Sequence, residues 1–202
     1  ISDPILLKSH TGLLWKPSGE ATLAGYQKTL ANKSLFNGFK ITLFYLIAGT
    51  LLQVGLTSFA AYVVSRKCFL IRRGVMKLLI FTMFFSGGMI PLFIIVNKLG
   101  LYDSRWSMIL PVAVNAWNLI IARAYFQGLP EGLIESAKLD GANDFQVLWK
   151  IIIPLSKPIL AVLALFSAVG HWNAYFNAVL FLPSPQKQPL QIYLQKLLIN
   201  MS

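Results

Sequence analysis

The chain has 202 residues, of which 56% are hydrophobic and only 12% charged, and its mean hydropathy is +0.63. Charged residues make up about a quarter of an ordinary soluble domain, so this composition excludes that class. The net charge of +11 does not indicate nucleic-acid binding, because the basic residues cluster between long apolar segments. The composition therefore predicts a membrane protein. No linker divides residues 1–202, which we expect to form a single domain.

The amino-terminal segment, through Lys40, is polar and broken by prolines and glycines. It begins with Ile1 and does not have the pattern of a signal peptide. We therefore expect the sequence to be a piece of a longer chain. The alternation of loops described below places its amino-terminal segment on the outer side of the membrane.

Four stretches meet the requirement of about 20 mainly apolar residues for a membrane-spanning helix. They are residues 41–64, 75–96, 107–125 and 158–182. Their only Asp, Glu, Lys or Arg residues are Lys77 and Arg123, which lie near helix ends, where long side chains reach the lipid headgroups. The sequence predicts an all-α fold, a polytopic transmembrane bundle with four helices.

The loops between these stretches predict the orientation, because Lys and Arg concentrate in short loops on the cytoplasmic side. Five basic residues lie between or next to the first two stretches: Arg66, Lys67, Arg72, Arg73 and Lys77. This connection is therefore predicted to be cytoplasmic, residues 97–106 to be outside, and residues 123–157 to be cytoplasmic. By the same alternation the tail after Leu182 lies outside.

The segment from 128 to 154 reads as two short helices joined by a corner. Pro130 suits a first helical turn, and Asp140-Gly141 is a stop signal because glycine readily adopts the left-handed conformation. The second helix places Phe145, Leu148, Trp149 and Ile152 on one face until Pro154 interrupts it. One alternative is an amphipathic helix that only lies on lipid, but such helices favour Lys and Arg, whereas residues 123–157 balance four acidic residues against four basic ones.

Polar residues within the apolar stretches are candidates for a pathway through the membrane. Residues 85–91 contain Ser86, two glycines and Pro91, a pattern that fits a helix break facing a pathway and close helix packing equally well. Asn115 and Asn118 share a helix face. In the fourth stretch His171 pairs with Tyr175, and Asn173 with Asn177, on nearly opposite faces.

Aromatic rings and amides suit sugar recognition, because rings stack on pyranose faces and amides bond hydroxyls. For each candidate, packing between helices stays the alternative. The substrate-pathway candidates are Ser86, Asn115, Asn118, Trp172, Asn173, Tyr175 and Phe176. No metal site or cofactor is predicted, since the second histidine, His10, is far from His171 along the chain.

The cytoplasmic segment resembles the signature of permease subunits in binding-protein-dependent importers of the ATP-binding-cassette (ABC) class, E-A-A-x-x-x-G followed by I-x-L-P. Ser136 replaces the usual alanine and Ile153 the usual leucine. The carbohydrate branch, and within it a subgroup that takes oligosaccharides and polysaccharide fragments, has three further motifs, F-S-G-G-x-I-P, N-x-x-x-A-R and G-x-W-N. Here the motifs are matched by Glu135, Ser136, Ala137, Gly141, Ile151, Ile153 and Pro154, and by residues 85–91, 118–123 and 170–173.

This resemblance implies a sugar permease of the bacterial inner membrane with six helices, so one helix is expected before residue 1 and one after residue 202. Residues 128–155 would be a cytoplasmic coupling loop whose first helix docks on an ATPase. The implied partners are a second permease, two cytoplasmic ATPases, an extracytoplasmic solute-binding protein, membrane lipid and a carbohydrate substrate. The implied ATPase-coupling residues are Glu131, Glu135, Ser136, Ala137, Leu139, Asp140 and Gly141.

The sequence has no G-x-x-x-x-G-K-[ST] loop for cradling phosphates, so we expect a transport subunit rather than an enzyme, with ATP hydrolysed elsewhere. The alternative of an ion-coupled secondary transporter would need a charged residue deep within a helix. A membrane-embedded enzyme would need a cluster of His, Asp, Glu or Cys. The four apolar stretches contain neither feature.

Overall fold

The helix α1, Lys33–Ser65, runs through the whole bundle, and the other long helices pack around it. The computed structural model describes residues 33–85 and 87–201. The predicted outer segment before Lys33, with His10, and the pathway candidate Ser86 lie outside the described residues. At about 1.5 Å per residue, the 33 residues of α1 exceed the thickness of the hydrocarbon layer. The helix begins eight residues earlier than the predicted first stretch.

The predicted second stretch forms two helices, α2 at Arg72–Phe84 and α3 at Met89–Lys98. Gly88 precedes α3 with a φ of +81°, a conformation that glycine adopts at little cost. The helix is therefore interrupted between Phe84 and Met89.

The third and fourth stretches were predicted to be continuous helices, and both predictions are wrong. Residues Arg105–Met108 and Leu110–Val112 form 3-10 turns before α4, Ala116–Gln127, because Pro111 lacks an amide donor and Asn115 has extended backbone. In the fourth stretch Asn173 and Ala174 separate two helices that the structure places at Lys157–Trp172 and Tyr175–Phe181.

The segment between α4 and the fourth stretch contains α5, Glu131–Leu139, and α6, Asp144–Val147. A π-turn, Leu148–Ile152, leads into α7, Ile153–Leu155. The two helices of the fourth stretch are then α8, Lys157–Trp172, and α9, Tyr175–Phe181, and the chain ends in α10, Leu190–Met201. The described residues contain no strand, so the all-α prediction is confirmed.

Within the part of the chain that the structure describes, α1 is the one helix long and apolar enough to cross a membrane, and up to four spans result if each bent helix pair is one span. The first two pairs are α2 with α3 and the 3-10 turns with α4, the latter bent by 49°. The last pair joins Asp144–Leu155 to α8 with a bend of 84°. Each of the four predicted spans thus has a counterpart. The fourth was predicted over residues 158–182, whereas the bent pair covers residues 144–172.

Two hydrophobic clusters hold the ends of the bundle. One contains Ile134, Val147 and Ile152 together with residues of α1, α4 and α8. The other joins Ile41 and Tyr45 of α1 to the segments around residues 108 and 178–192. Because the first cluster includes residues of α5 and the π-turn, the predicted coupling loop packs into the core of the bundle.

At the second cluster, Asp103 ties the loop after α3 to the segment after α9. Its carboxylate accepts hydrogen bonds from Ser184 Oγ at 2.6 Å and from Lys187 Nζ at 2.9 Å, and its carbonyl also accepts from Lys187 Nζ. These bonds lower the pKa of the Asp103 carboxyl, the Ser184 bond most. Residues 97–106 and the tail after Leu182 therefore share one end of the bundle, as predicted.

The helix α10 was not predicted. It packs against α1, where its first residue, Leu190, donates its amide to Thr42 Oγ1 at 2.9 Å. Tyr45 of α1 donates its hydroxyl to the Lys187 carbonyl at 2.9 Å. The segment after Leu182 is therefore folded back onto the bundle.

Candidate coupling and pathway sites

The helix α5 has a sharply defined start and end. Pro130 is its N-cap, one position earlier than the predicted first turn. At the other end Gly141 has a φ of +82°, and the amides of Gly141 and Ala142 bond the carbonyls of Lys138 and Ala137. These two bonds form the Schellman motif that commonly closes helices, so the predicted stop at Asp140-Gly141 is confirmed.

The chain leaves this corner through a second capped helix. The Asn143 side chain accepts from the Gln146 amide at 2.8 Å, and the Gln146 side chain accepts from the Asn143 amide at 3.0 Å, which is a capping box. Pro154 was predicted to interrupt this helix, and that prediction is wrong. The π-turn moves the hydrogen bonding to five-residue spacing, with the Ile153 amide on Leu148 O, and helical backbone continues through Pro154.

The two faces of α5 have different surroundings. Ile134 is buried and Ala137 packs against the same hydrophobic cluster, so Ala137 faces the bundle. The remaining predicted coupling residues are exposed, and Leu139 is 89% exposed although it is a large hydrophobic side chain. The exposed set is Glu131, Glu135, Ser136, Leu139, Asp140 and Gly141.

Ion pairs fix α5 to its neighbours at both ends. Lys67 of the first loop binds Glu131 at 2.6 Å, and Lys138 binds Asp144 at 2.9 Å. The hydrogen bond from Lys67 lowers the pKa of the Glu131 carboxyl, and that from Lys138 lowers the pKa of the Asp144 carboxyl. Glu135 has no such partner among the described residues, so its carboxylate is available to another molecule.

A cavity of about 950 Å³ lies between α1, α2, α4 and α8. Two of the predicted pathway residues line it, Asn115 and Asn118. Asn115 is the N-cap of α4 and accepts from the Asn118 amide at 3.1 Å, which corrects the prediction that both lie within one continuous helix. The described lining residues include no Lys, Arg, Asp or Glu. We name this space the amide cavity.

Sequence reasoning missed other polar residues of the amide cavity. Gln53 is buried in the middle of α1, and its amide within an apolar stretch was a signal that could have been used. The sequence predicted His171 and Asn177 on nearly opposite helix faces, but both line the amide cavity. The reason is that the helix ends at Trp172, which changes the side chains that share a face. Among the described residues, the polar lining is Gln53, Thr82, Asn115, Asn118, Ser167, His171 and Asn177.

Four predicted pathway residues are not part of the amide cavity. Trp172 and Asn173 are exposed at the end of α8, and the Trp172 carbonyl accepts from Gln191 Nε2 at 2.6 Å. Phe176 is exposed, and Tyr175 packs against the hydrophobic cluster of α1 and α10. The structure therefore does not bring these four together with Asn115 and Asn118.

Comparison with known proteins agrees with this architecture. Residues 53–200 match the family described as "Binding-protein-dependent transport system inner membrane component". The chain is 43% identical over 178 residues to the polygalacturonan/rhamnogalacturonan transport system permease protein YtcP of Bacillus subtilis (strain 168), with 88% of this chain and 62% of the relative covered. It is 32% identical over 160 residues to the galactooligosaccharides transport system permease protein GanQ of the same organism, with 77% and 55% covered.

A solved structure is also similar. It is the crystal structure of a bacterial ABC transporter involved in the import of the acidic polysaccharide alginate, and it matches with a TM-score of 0.93 and 35% identity. The match covers 100% of this chain and 71% of the other. The chain spans less than two thirds of the length of YtcP and GanQ. From the family match and these relatives, the chain belongs to the inner-membrane components of binding-protein-dependent transport systems.

Proposed function

We propose that the chain is the permease subunit of an ATP-driven ABC importer that moves a sugar or oligosaccharide across the bacterial inner membrane. The observation that carries this proposal is α5, whose buried face belongs to the core of the bundle while Glu135 and Leu139 face outward. A helix placed in this way transmits movement between an outside partner and the membrane helices. Family membership supports this function over an ion-coupled secondary transporter.

In this proposal two cytoplasmic ATPases hydrolyse ATP, and one of them receives the exposed end of α5. The carboxylate of Glu135 would meet a basic group there, and Leu139 would enter an apolar depression. A second permease would close the pathway, and an extracytoplasmic solute-binding protein would deliver the substrate. YtcP, GanQ and the alginate importer all carry saccharides by name, which supports a carbohydrate substrate here.

The amide cavity is proposed as this subunit's part of the pathway. Amides, hydroxyls and an imidazole offer both donors and acceptors to sugar hydroxyls, and Trp117 and Phe166 add aromatic surface. Among its described lining residues no charge would hold an ion in place. Such a lining suits brief, directional contacts with a passing saccharide.

The test is to purify the full-length chain with its ATPase and measure ATP hydrolysis in lipid with the binding protein and a saccharide panel. Glu135→Arg reverses the free carboxylate and is expected to abolish association and to lower the stimulated activity at least tenfold. Gln186→Arg, which adds a positive charge to an exposed position at the other end of the bundle, is the control. Undiminished association of Glu135→Arg would refute docking through α5.

Asn118→Leu tests the pathway separately. It keeps the side-chain volume but removes the amide, so we expect saccharide uptake to fall while association with the ATPase is unchanged. Uptake at the wild-type rate for every saccharide would remove Asn118 from the pathway.

A further inference from the structure

A second cavity, of about 770 Å³, opens at the end of the bundle that the charge distribution assigns to the cytoplasm. It lies between the loop after α1, the start of α2, the end of α4 and the side of α5. Seven of its lining residues are basic and two are acidic. We name it the basic cavity. Of its lining residues, the transport proposal above uses only Glu135.

Four of the seven basic side chains are already engaged. Lys67 and Lys138 form the ion pairs with Glu131 and Asp144. Arg66 lies over the Tyr62 ring at 4.8 Å and donates Nε to Ser65 Oγ, and Arg123 donates Nε to the Val64 carbonyl. These contacts hold their side chains in place around the cavity.

The other three basic side chains belong to the first two turns of α2. Arg72, Arg73 and Lys77 have no ion pair or side-chain hydrogen bond within the described part of the chain. Arg73 and Lys77 are four residues apart and so lie on the same helix face. Like charges on one helix face repel each other, and an anion between them removes that repulsion. The basic cavity is therefore arranged to receive a negative group.

The apolar residues of the lining favour a phospholipid over a small anion as the ligand. Met76, which precedes Lys77, and Ile80, one turn beyond Met76, continue the wall of the cavity along α2. No residue of α2 between Arg72 and Phe84 is buried, so this apolar surface is uncovered. A headgroup site followed by an uncovered apolar strip has the two-part chemistry of a phospholipid, and basic pockets between helices on the cytoplasmic side bind such headgroups.

We infer that the basic cavity binds the phosphate of an anionic phospholipid, with Arg72, Arg73 and Lys77 as its ligands and Met76 and Ile80 against an acyl chain. Because Glu131, Ile134, Glu135 and Lys138 of α5 form the opposite wall, the bound headgroup stabilises the position of α5 relative to α2. Lipid binding is separate from transport, so failure of this inference leaves the proposed function untouched.

The experiment measures lipid affinity of the full-length chain in its assembled complex, by thermal-shift titration with phosphatidylglycerol in phosphatidylcholine nanodiscs. The test variant is Arg72→Gln/Arg73→Gln/Lys77→Gln, and the control Lys33→Gln/Lys40→Gln/Lys98→Gln removes three exposed charges elsewhere. Each basic residue near an anionic surface contributes about fivefold in affinity, so the test variant is expected to lose on the order of a hundredfold. The control is expected to retain wild-type affinity.

Further arms identify the ligand. Inorganic phosphate or an oligogalacturonate that stabilises the complex in phosphatidylcholine as strongly as phosphatidylglycerol does would overturn the lipid assignment. Unchanged affinity of the test variant would overturn it as well.

A measurement on the wild type keeps the inference testable if the variant fails to insert. Photoactivatable phosphatidylglycerol is crosslinked to the complex, with unlabelled phosphatidylglycerol or phosphatidylcholine as competitor, and the attachment sites are mapped. Labelling within residues 65–80 and 123–138 that only phosphatidylglycerol suppresses is the expected result. Specific labelling confined to other segments would refute the site. Impermeant maleimide on the exposed Cys68 checks the orientation of each variant.

Discussion

A close helix crossing within the bundle provides a sharp test of its packing. Gly49 of α1 faces the imidazole of His171 in α8. A Cβ added to Gly49 would lie 2.5 Å from His171 Cε1 and 2.8 Å from Cδ2, whereas ordinary van der Waals contact begins near 3.4 Å. His171 is buried, so its ring can relieve this clash only by turning towards the amide cavity that it lines. Gly49→Ala therefore overpacks this crossing.

Overpacking a well-packed site costs about 1–3 kcal/mol. The same substitution also gains up to about 1 kcal/mol, because alanine has a higher helix propensity than glycine. Gly55→Ala has the gain without the cost, since it lies on the same helix with no atom within 4 Å of its added Cβ. The difference between the two variants isolates the clash, and for a chain of this size it corresponds to roughly 3–10 °C in Tm.

The assay is thermal unfolding of the purified full-length protein, wild type and both variants, followed by tryptophan fluorescence. In a His171→Ala background the ring is absent, so Gly49→Ala is expected to raise the Tm as much as Gly55→Ala does, which completes a double-mutant cycle. If Gly49→Ala were as stable as Gly55→Ala with His171 present, the reasoning about this crossing would be refuted.

Two further predictions concern single residues in loops. Gly141→Ala forces a residue with a Cβ into a φ of +82°, so we expect it to lower the local stability by about 1–2 kcal/mol. The measurement is hydrogen exchange, which should become faster in residues 137–142. Unchanged exchange would contradict the Schellman closure. The Asp103 pKa is lowered in the folded protein, so its stabilising effect is present above the unfolded pKa of about 3.9 and is lost as the pH falls through the folded pKa. The Tm difference between wild type and Asp103→Asn should therefore be constant above about pH 5 and shrink below about pH 4, whereas a constant difference down to acidic pH would contradict this role.

Features set by local chemistry could be predicted from the sequence. The stop at Gly141 needs only a residue that accepts positive φ, whereas the glycines and Pro91 before α3 fitted two interpretations equally well in the sequence. The separation of the loops into two ends followed from alternation along the chain, and the ion pair of Lys67 with Glu131 and that of Lys187 with Asp103 confirm which loops share an end.

Features set by packing could not be predicted. Pro154 stays within helical backbone because the π-turn before it changes the hydrogen-bond spacing, and Leu148 and Ile152 of that turn are buried in the core. Gln53 and Asn177 line one cavity although they are far apart in the sequence, so no local pattern relates them. The aromatic candidates after His171 were placed on a continuous helix, whereas that helix ends at Trp172.

The packing of α5 into the core has a mechanical consequence. A loop attached to the bundle only at its two ends would bend when it is displaced. Little of that displacement would then reach the membrane helices. Here Ile134 shares a cluster with Val147, Ile152 and Leu163, while the capped corner at Gly141 stiffens the tip. Because Ile134 shares this cluster with α1, α4 and α8, we expect a displacement of Leu139 to move these three helices together.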